Sequence, residues 1–76
     1  MAIDYTEHAT FRMRHRTILK TNVEDTIRNP DFRFITSLGR PVALKKHGDK
    51  FLKVIYEKSN DKITVVTVYL TRRVQQ

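Results

Sequence analysis

The spacing of apolar residues changes part-way along the chain. Between Glu7 and Arg16 they are sparse: Ala9, Phe11 and Met13, with Tyr5 just before. That segment has no Gly, Pro or Val, and Ala9 and Met13 are four apart, so they share a helical face. Thr6 reads as its N-cap, and Glu7 places a carboxylate where the helix dipole favours it. Thr21 and Glu24 have the spacing of a capping box. They predict a second, short helix over Val23 to Arg28, with Val23 and Ile27 on its apolar stripe. It ends at Asn29-Pro30, because a residue before proline avoids helical angles.

From Asp31 the period is two. Phe32, Phe34 and Thr36 alternate with Arg33, Ile35 and Ser37. Gly39-Arg40-Pro41 is a turn signal, and Val42 to Lys46 follows as a strand. His47-Gly48-Asp49 reads as a compact hairpin loop before a strand from Phe51 to Glu57. Ser59-Asn60-Asp61 turns the chain into a last strand, Lys62 to Thr71. Strict alternation there puts Thr64, Val66, Val68 and Leu70 on one face and Ile63, Val65, Thr67 and Tyr69 on the other. The expected architecture is α+β: two short N-terminal helices packed on a four-stranded antiparallel sheet, in the order ααββββ. The helices cover one sheet face. The other is also apolar, and either the sheet curls to shield it or a partner covers it.

Length confines this pattern to one domain, residues 1–76. There is no cysteine, so neither a disulfide nor a thiolate metal site supports so small a core. Lack of cysteine fits a reducing compartment, and a cytoplasmic location is expected. Met1 to His8 carry no apolar run, so no signal peptide is expected, and no stretch approaches a membrane span.

Charge changes the picture more. Fifteen Lys plus Arg against eight Asp plus Glu leave a formal charge of +7. His8, Arg12 and Arg16 are spaced four apart and form one cationic stripe on the first helix, with Arg14 off it. A solvated helix face produces the same stripe. Arg12, however, lies next to the buried pair Ala9 and Met13, so it can be half-buried and bonded to a strand carbonyl. Lys45, Lys46 and Lys53 give a second basic cluster, and Arg72 and Arg73 a third. Three clusters with interleaved tyrosines suit a polyanion such as RNA, and they suit an acidic protein equally. No metal-ligand spacing, phosphate loop or nucleophile elbow is present, so neither metal nor cofactor is expected. Metal-free RNA cleavage needs a base for the 2′-hydroxyl and cations for the phosphorane, and His, Lys, Arg and Tyr supply both.

Several short motifs run through nearly the whole chain in order. They are Tyr5-Thr6-x-His8-Ala9-x-x-Arg12-Met13-x-x-Arg16-x-Ile18, Val23-x-x-x-Ile27-x-Asn29-Pro30-Asp31, Gly39-Arg40, Lys46-x-Gly48, Leu52-x-Val54-x-Tyr56 and Val65-Val66-Thr67-Val68-Tyr69. In these the chain resembles the family called domain of unknown function 4258. That family is similar in turn to the RelE/ParE and BrnT group of toxins. The resemblance implies two helices followed by a small antiparallel sheet, and metal-free RNA cleavage held in check by an antitoxin from a neighbouring gene. ParE-like members act instead on gyrase, so a non-enzymatic binding module is the alternative. Under the ribonuclease reading, the resemblance makes His8, Arg12, Arg16 and Tyr69 the catalytic candidates. His8 is then base or acid, Arg12 and Arg16 grip phosphate, and Tyr69 stacks a base or donates a proton beside Thr67. Tyr56 falls within a matched motif but reads as core. Arg14, Lys45, Lys46, Lys53, Arg72 and Arg73 are the RNA-binding candidates.

Overall fold

The computed structural model describes residues 2–72. They form β1 (Ala2–Tyr5), α1 (Glu7–Arg16), α2 (Lys20–Arg28), β2 (Phe32–Ile35), β3 (Pro41–His47), β4 (Lys50–Ser59) and β5 (Lys62–Thr71). Class α+β holds, but the sheet has five strands in the order β1-β5-β4-β3-β2 and is mixed. The expectation of a four-stranded, purely antiparallel sheet in the order ααββββ is therefore overturned: the order is βααββββ. β2 to β5 do form an antiparallel meander, and β1 adds a parallel edge strand, with Ile3 opposite Ile63 and Tyr5 opposite Val65. A strand of only four residues gives little local signal, and the partner that stabilises it lies at the far end of the sequence.

Helix α1 begins and ends as its residues predict, with the Thr6 Oγ1 accepting from the Ala9 N–H at 3.0 Å. Thr17 closes it in the left-handed region, at φ 55°. Helix α2 starts earlier than the capping-box signal indicates. Leu19 is its N-cap and offers no side-chain bond, while the Leu19 carbonyl accepts from Asn22 and Val23 N–H. Glu24 makes no capping box, because its Oε2 accepts from the Tyr5 hydroxyl at 2.8 Å. The end at Asn29 is as predicted. The β3–β4 loop narrows to Gly48-Asp49, with Gly48 at φ +68°, an angle that glycine adopts without strain.

The helices pack on one face of the sheet. Ala9, Met13, Val23 and Ile27 meet Ala43, Leu52, Val54, Tyr56, Ile63, Val65 and Val68 in a single core. Each fully buried Val or Leu contributes about 1.5–3 kcal/mol. Tyr56 is a core residue, 6% exposed. Strict alternation in β5 fails at one point. The register against β4 shifts so that Ile55 faces Thr67 while Tyr56 faces Val65, leaving Val66 as the extra residue of a β-bulge. Ile63 and Val65 before the bulge and Val68 and Leu70 after it thus share the helix-covered face. Thr64, Thr67 and Tyr69 share the other.

Val42 and Leu44 are fully buried although they alternate onto that second face. Their cross-strand neighbours are Phe34 and Ile55 for Val42, and Phe32 and Lys53 for Leu44. Phe32 and Phe51 meet edge to face at 5.8 Å. The second face therefore shields its own aliphatic floor with large side chains. Among the described residues, no helix is long and apolar enough to cross a membrane.

Candidate functional site

The bulge and the short β1 together shape the site. β1 covers the edge of β5 only from Lys62 to Val65. Beyond it, side chains of α1 and its N-cap take the place of a strand. The Thr6 hydroxyl donates to the Val66 carbonyl at 2.8 Å, and the Arg12 Nε donates to the Val68 carbonyl at 3.1 Å. Arg12 thereby reaches past the β5 edge, and its guanidinium lies 5.3 Å from the centre of the Tyr69 ring. The half-buried, carbonyl-bonded role expected for Arg12 is what the structure has. Among the described residues its Nη groups make no hydrogen bond or ion pair.

Lys53 faces Tyr69 across the β4–β5 ladder and sits between two rings, with Nζ 5.5 Å from Tyr69 and 5.8 Å from Phe34. Two cations thus flank one tyrosine ring, each within cation–π range. Lys46 alternates onto the same face, opposite Phe51. The result is a helix-free surface carrying Arg12, Lys46, Lys53, Phe32, Phe34, Phe51 and Tyr69. Thr67 Oγ1 lies on the same face and is buried without a hydrogen-bond partner. Sequence reasoning did not assign the three phenylalanines to the site. Their period-two spacing across adjacent strands was the available signal.

Other candidates fall elsewhere. Lys45 alternates toward the helices, where Nζ donates to the Asn29 carbonyl at 2.9 Å and pairs with Asp25 Oδ2 at 3.4 Å. It secures the end of α2 and does not face the aromatic surface. Arg14 lies on the opposite flank of α1 from Arg12, beside Thr10 and Thr17. His8 and Arg16 are exposed on the Arg12 flank. Among the described residues, His8 makes no hydrogen bond, ion pair or ring contact. Arg16 sits in the last turn of α1, where a cation also favours the helix dipole. Arg72 is exposed, and Arg73 lies outside the described residues. No three His, Asp or Glu side chains gather as a metal site among the described residues.

Among the described residues, two titrating groups depart from their ordinary behaviour, both outside this surface. Burial, then the hydrogen bond to Glu24, holds the Tyr5 phenol protonated well into the alkaline range. The hydrogen bond from Asn29, reinforced by Lys45, lowers the Asp25 carboxyl.

The profile of the family described as Domain of unknown function (DUF4258) matches residues 5–70. The chain belongs to that family. The match to this DUF4258 domain runs from Tyr5 to Leu70, so it includes Arg12, Lys46, Lys53 and Tyr69. No curated protein and no solved structure matches the chain significantly.

Proposed function

We propose that this domain is the toxin-like member of a toxin–antitoxin pair and that it binds single-stranded RNA on the helix-free sheet face. The observation that carries the RNA reading is the Tyr69 ring with both Arg12 and Lys53 in cation–π range, at 5.3 and 5.5 Å. An aromatic ring with two cations in reach suits an unpaired base with its phosphates: the ring offers a stacking surface, and the cations meet the backbone. The formal charge of +7 supports the same choice of partner. The resemblance to RelE/ParE and BrnT toxins supports the toxin reading.

Titration of labelled single-stranded RNA in EDTA, followed by fluorescence anisotropy, tests the binding. Saturable binding should weaken steeply with salt, and Tyr69→Ala or Lys53→Ala should weaken it about tenfold, since one stacked base is worth about 1–3 kcal/mol. Affinity that neither variant changes overturns this site.

A second reading is metal-free cleavage on the same face. It is favoured by His8, one helical turn before Arg12 on one flank of α1. His8 would take the proton of the attacking 2′-hydroxyl, Arg12 with Arg16 would stabilise the phosphorane, and the Tyr69 hydroxyl would protonate the 5′-oxygen as its bond to phosphorus breaks. RNA that shortens in EDTA with wild type and stays whole with His8→Ala supports cleavage. Whole RNA at saturating protein leaves binding alone. Growth arrest on expression, relieved by the neighbouring gene, tests the toxin assignment separately.

A further inference from the structure

The flank of α1 that faces away from the aromatic sheet surface carries a feature the RNA reading does not use. Where α1 meets α2 an open groove of about 410 Å³ is lined by Thr10, Met13, Arg14, Ile18, Leu19 and Lys20. A second hollow continues it along α1 past Tyr5, Glu7 and Phe11, sharing Thr10 and Arg14. Leu19 is 60% exposed and Phe11 65%, although both belong to chemical types that small proteins bury.

Shape and charge narrow what fits. The groove is open and elongated along a ten-residue helix, about 15 Å. A small apolar ligand needs enclosure over most of its surface, which this groove does not offer. A helix laid alongside α1 and α2 needs only an apolar stripe, and Met13, Ile18, Leu19 and Phe11 supply its counterpart. The α1–α2 junction is rimmed by Arg14 and Lys20 and has no acidic lining residue, and the continuing hollow adds one acid, Glu7, at its far end. A second copy of this chain, with its formal charge of +7, would bring like charge to that rim. An acidic helix would bring the opposite charge.

We infer that the α1–α2 groove is a docking site for an amphipathic helix of a partner protein, with apolar residues at i, i+3 or i+4 and flanking Asp or Glu. The site is independent of the RNA face, since it occupies the other flank of α1.

Selection of displayed random peptides of about four helical turns against the full chain tests this. Enriched sequences should carry the apolar helical spacing with acidic flanks. Their affinity for purified protein should fall at least about tenfold in Leu19→Asp and in the pair Arg14→Glu with Lys20→Glu, or about 1.4 kcal/mol. Leu19, Arg14 and Lys20 are exposed, so thermal melting of each variant confirms that the fold is kept. Three results overturn the proposal: no enrichment, enriched peptides without acidic flanks, or binding indifferent to both variants. Concentration-dependent dimerisation that Leu19→Asp abolishes overturns it too, by assigning the groove to a second copy. RNA affinity retained in Leu19→Asp, which leaves every cation in place, keeps this test separate from that of the sheet face.

Discussion

The Arg12 Nε donates to the Val68 carbonyl at 3.1 Å, and this bond fixes the guanidinium 5.3 Å from the Tyr69 ring centre. One side chain closes the sheet edge and completes the aromatic surface. Lysine has a flexible point charge and no second donor in a rigid fork, so it cannot do both. Arg12→Lys is therefore expected to lose about 1–2 kcal/mol of stability, as for a partly exposed charged hydrogen bond. It should also lose RNA affinity at temperatures where the variant is folded. Urea denaturation at an unchanged slope, beside the anisotropy titration, reads the two effects separately. Full stability in Arg12→Lys would show that the edge bond is dispensable.

Thr6 couples the same edge to the start of α1. Its oxygen accepts from Ala9 N–H and its hydroxyl donates to the carbonyl of bulged Val66. Thr6→Ala should cost about 1–2 kcal/mol and Thr6→Ser much less. The bulge yields a sharper prediction. Deleting Val66 leaves Ile63, Val65, Val68 and Leu70 in unbroken alternation against β4, so every face is retained. The deletion should give a cooperatively folded domain, weaker on the order of 1 kcal/mol through the lost Thr6 bond. Deleting Ile55 from the facing strand turns the β4 side chains over and should abolish cooperative unfolding. Equal damage from both deletions contradicts the register.

Much of this was legible along the chain, and the failures have local causes. The β3, β4 and β5 strands follow from alternating Val, Ile and Leu, because each is apolar toward the helices. The bulge left no trace, since Val65 and Val66 are equally strand-like and only the register with Ile55 and Tyr56 shows which is extra. The Thr21–Glu24 capping box looked sound, but Tyr5 claims the Glu24 carboxylate from a distant segment. At the site, Arg12 was legible because it sits one residue from a buried pair. Lys45 and Lys46 looked alike as a basic run, yet alternation sends them to opposite faces.

That division gives a charge-specific test. Lys46 shares the open face with Phe51, whereas Lys45 holds Asp25 and the Asn29 carbonyl at the end of α2. Lys46→Glu should weaken RNA binding and reduce its salt slope, with stability nearly unchanged. Lys45→Ala should cost about 0.5–1 kcal/mol of stability and leave the salt slope alone. The reverse pattern would place the RNA on the helical side.

Thr17 closes α1 at φ 55°, in a region that β-branched residues rarely adopt. Glycine takes this angle without strain at a helix C-terminus. Thr17→Gly is expected to stabilise the domain by about 0.5–1 kcal/mol, or roughly 2–8 °C in Tm for a chain of this size. A lowered melting temperature would mean that the threonine side chain contributes more than its backbone angle costs.

Asp25 sets the acid limit of the α2 terminus. The hydrogen bond from Asn29, at 3.1 Å, and then the contact with Lys45 lower its carboxyl below the usual 3.8. The unfolded chain therefore binds the Asp25 proton more tightly than the native chain does. Stability from this carboxylate is present above about pH 4 and is lost as pH falls through the lower native value. Asp25→Asn should be less stable than wild type near neutrality, and the two should converge as the solution is acidified. Denaturation midpoints measured from pH 7 down to about pH 2 provide the comparison. Curves that stay parallel across that range would show that the Asn29 and Lys45 contacts do not favour the ionised form.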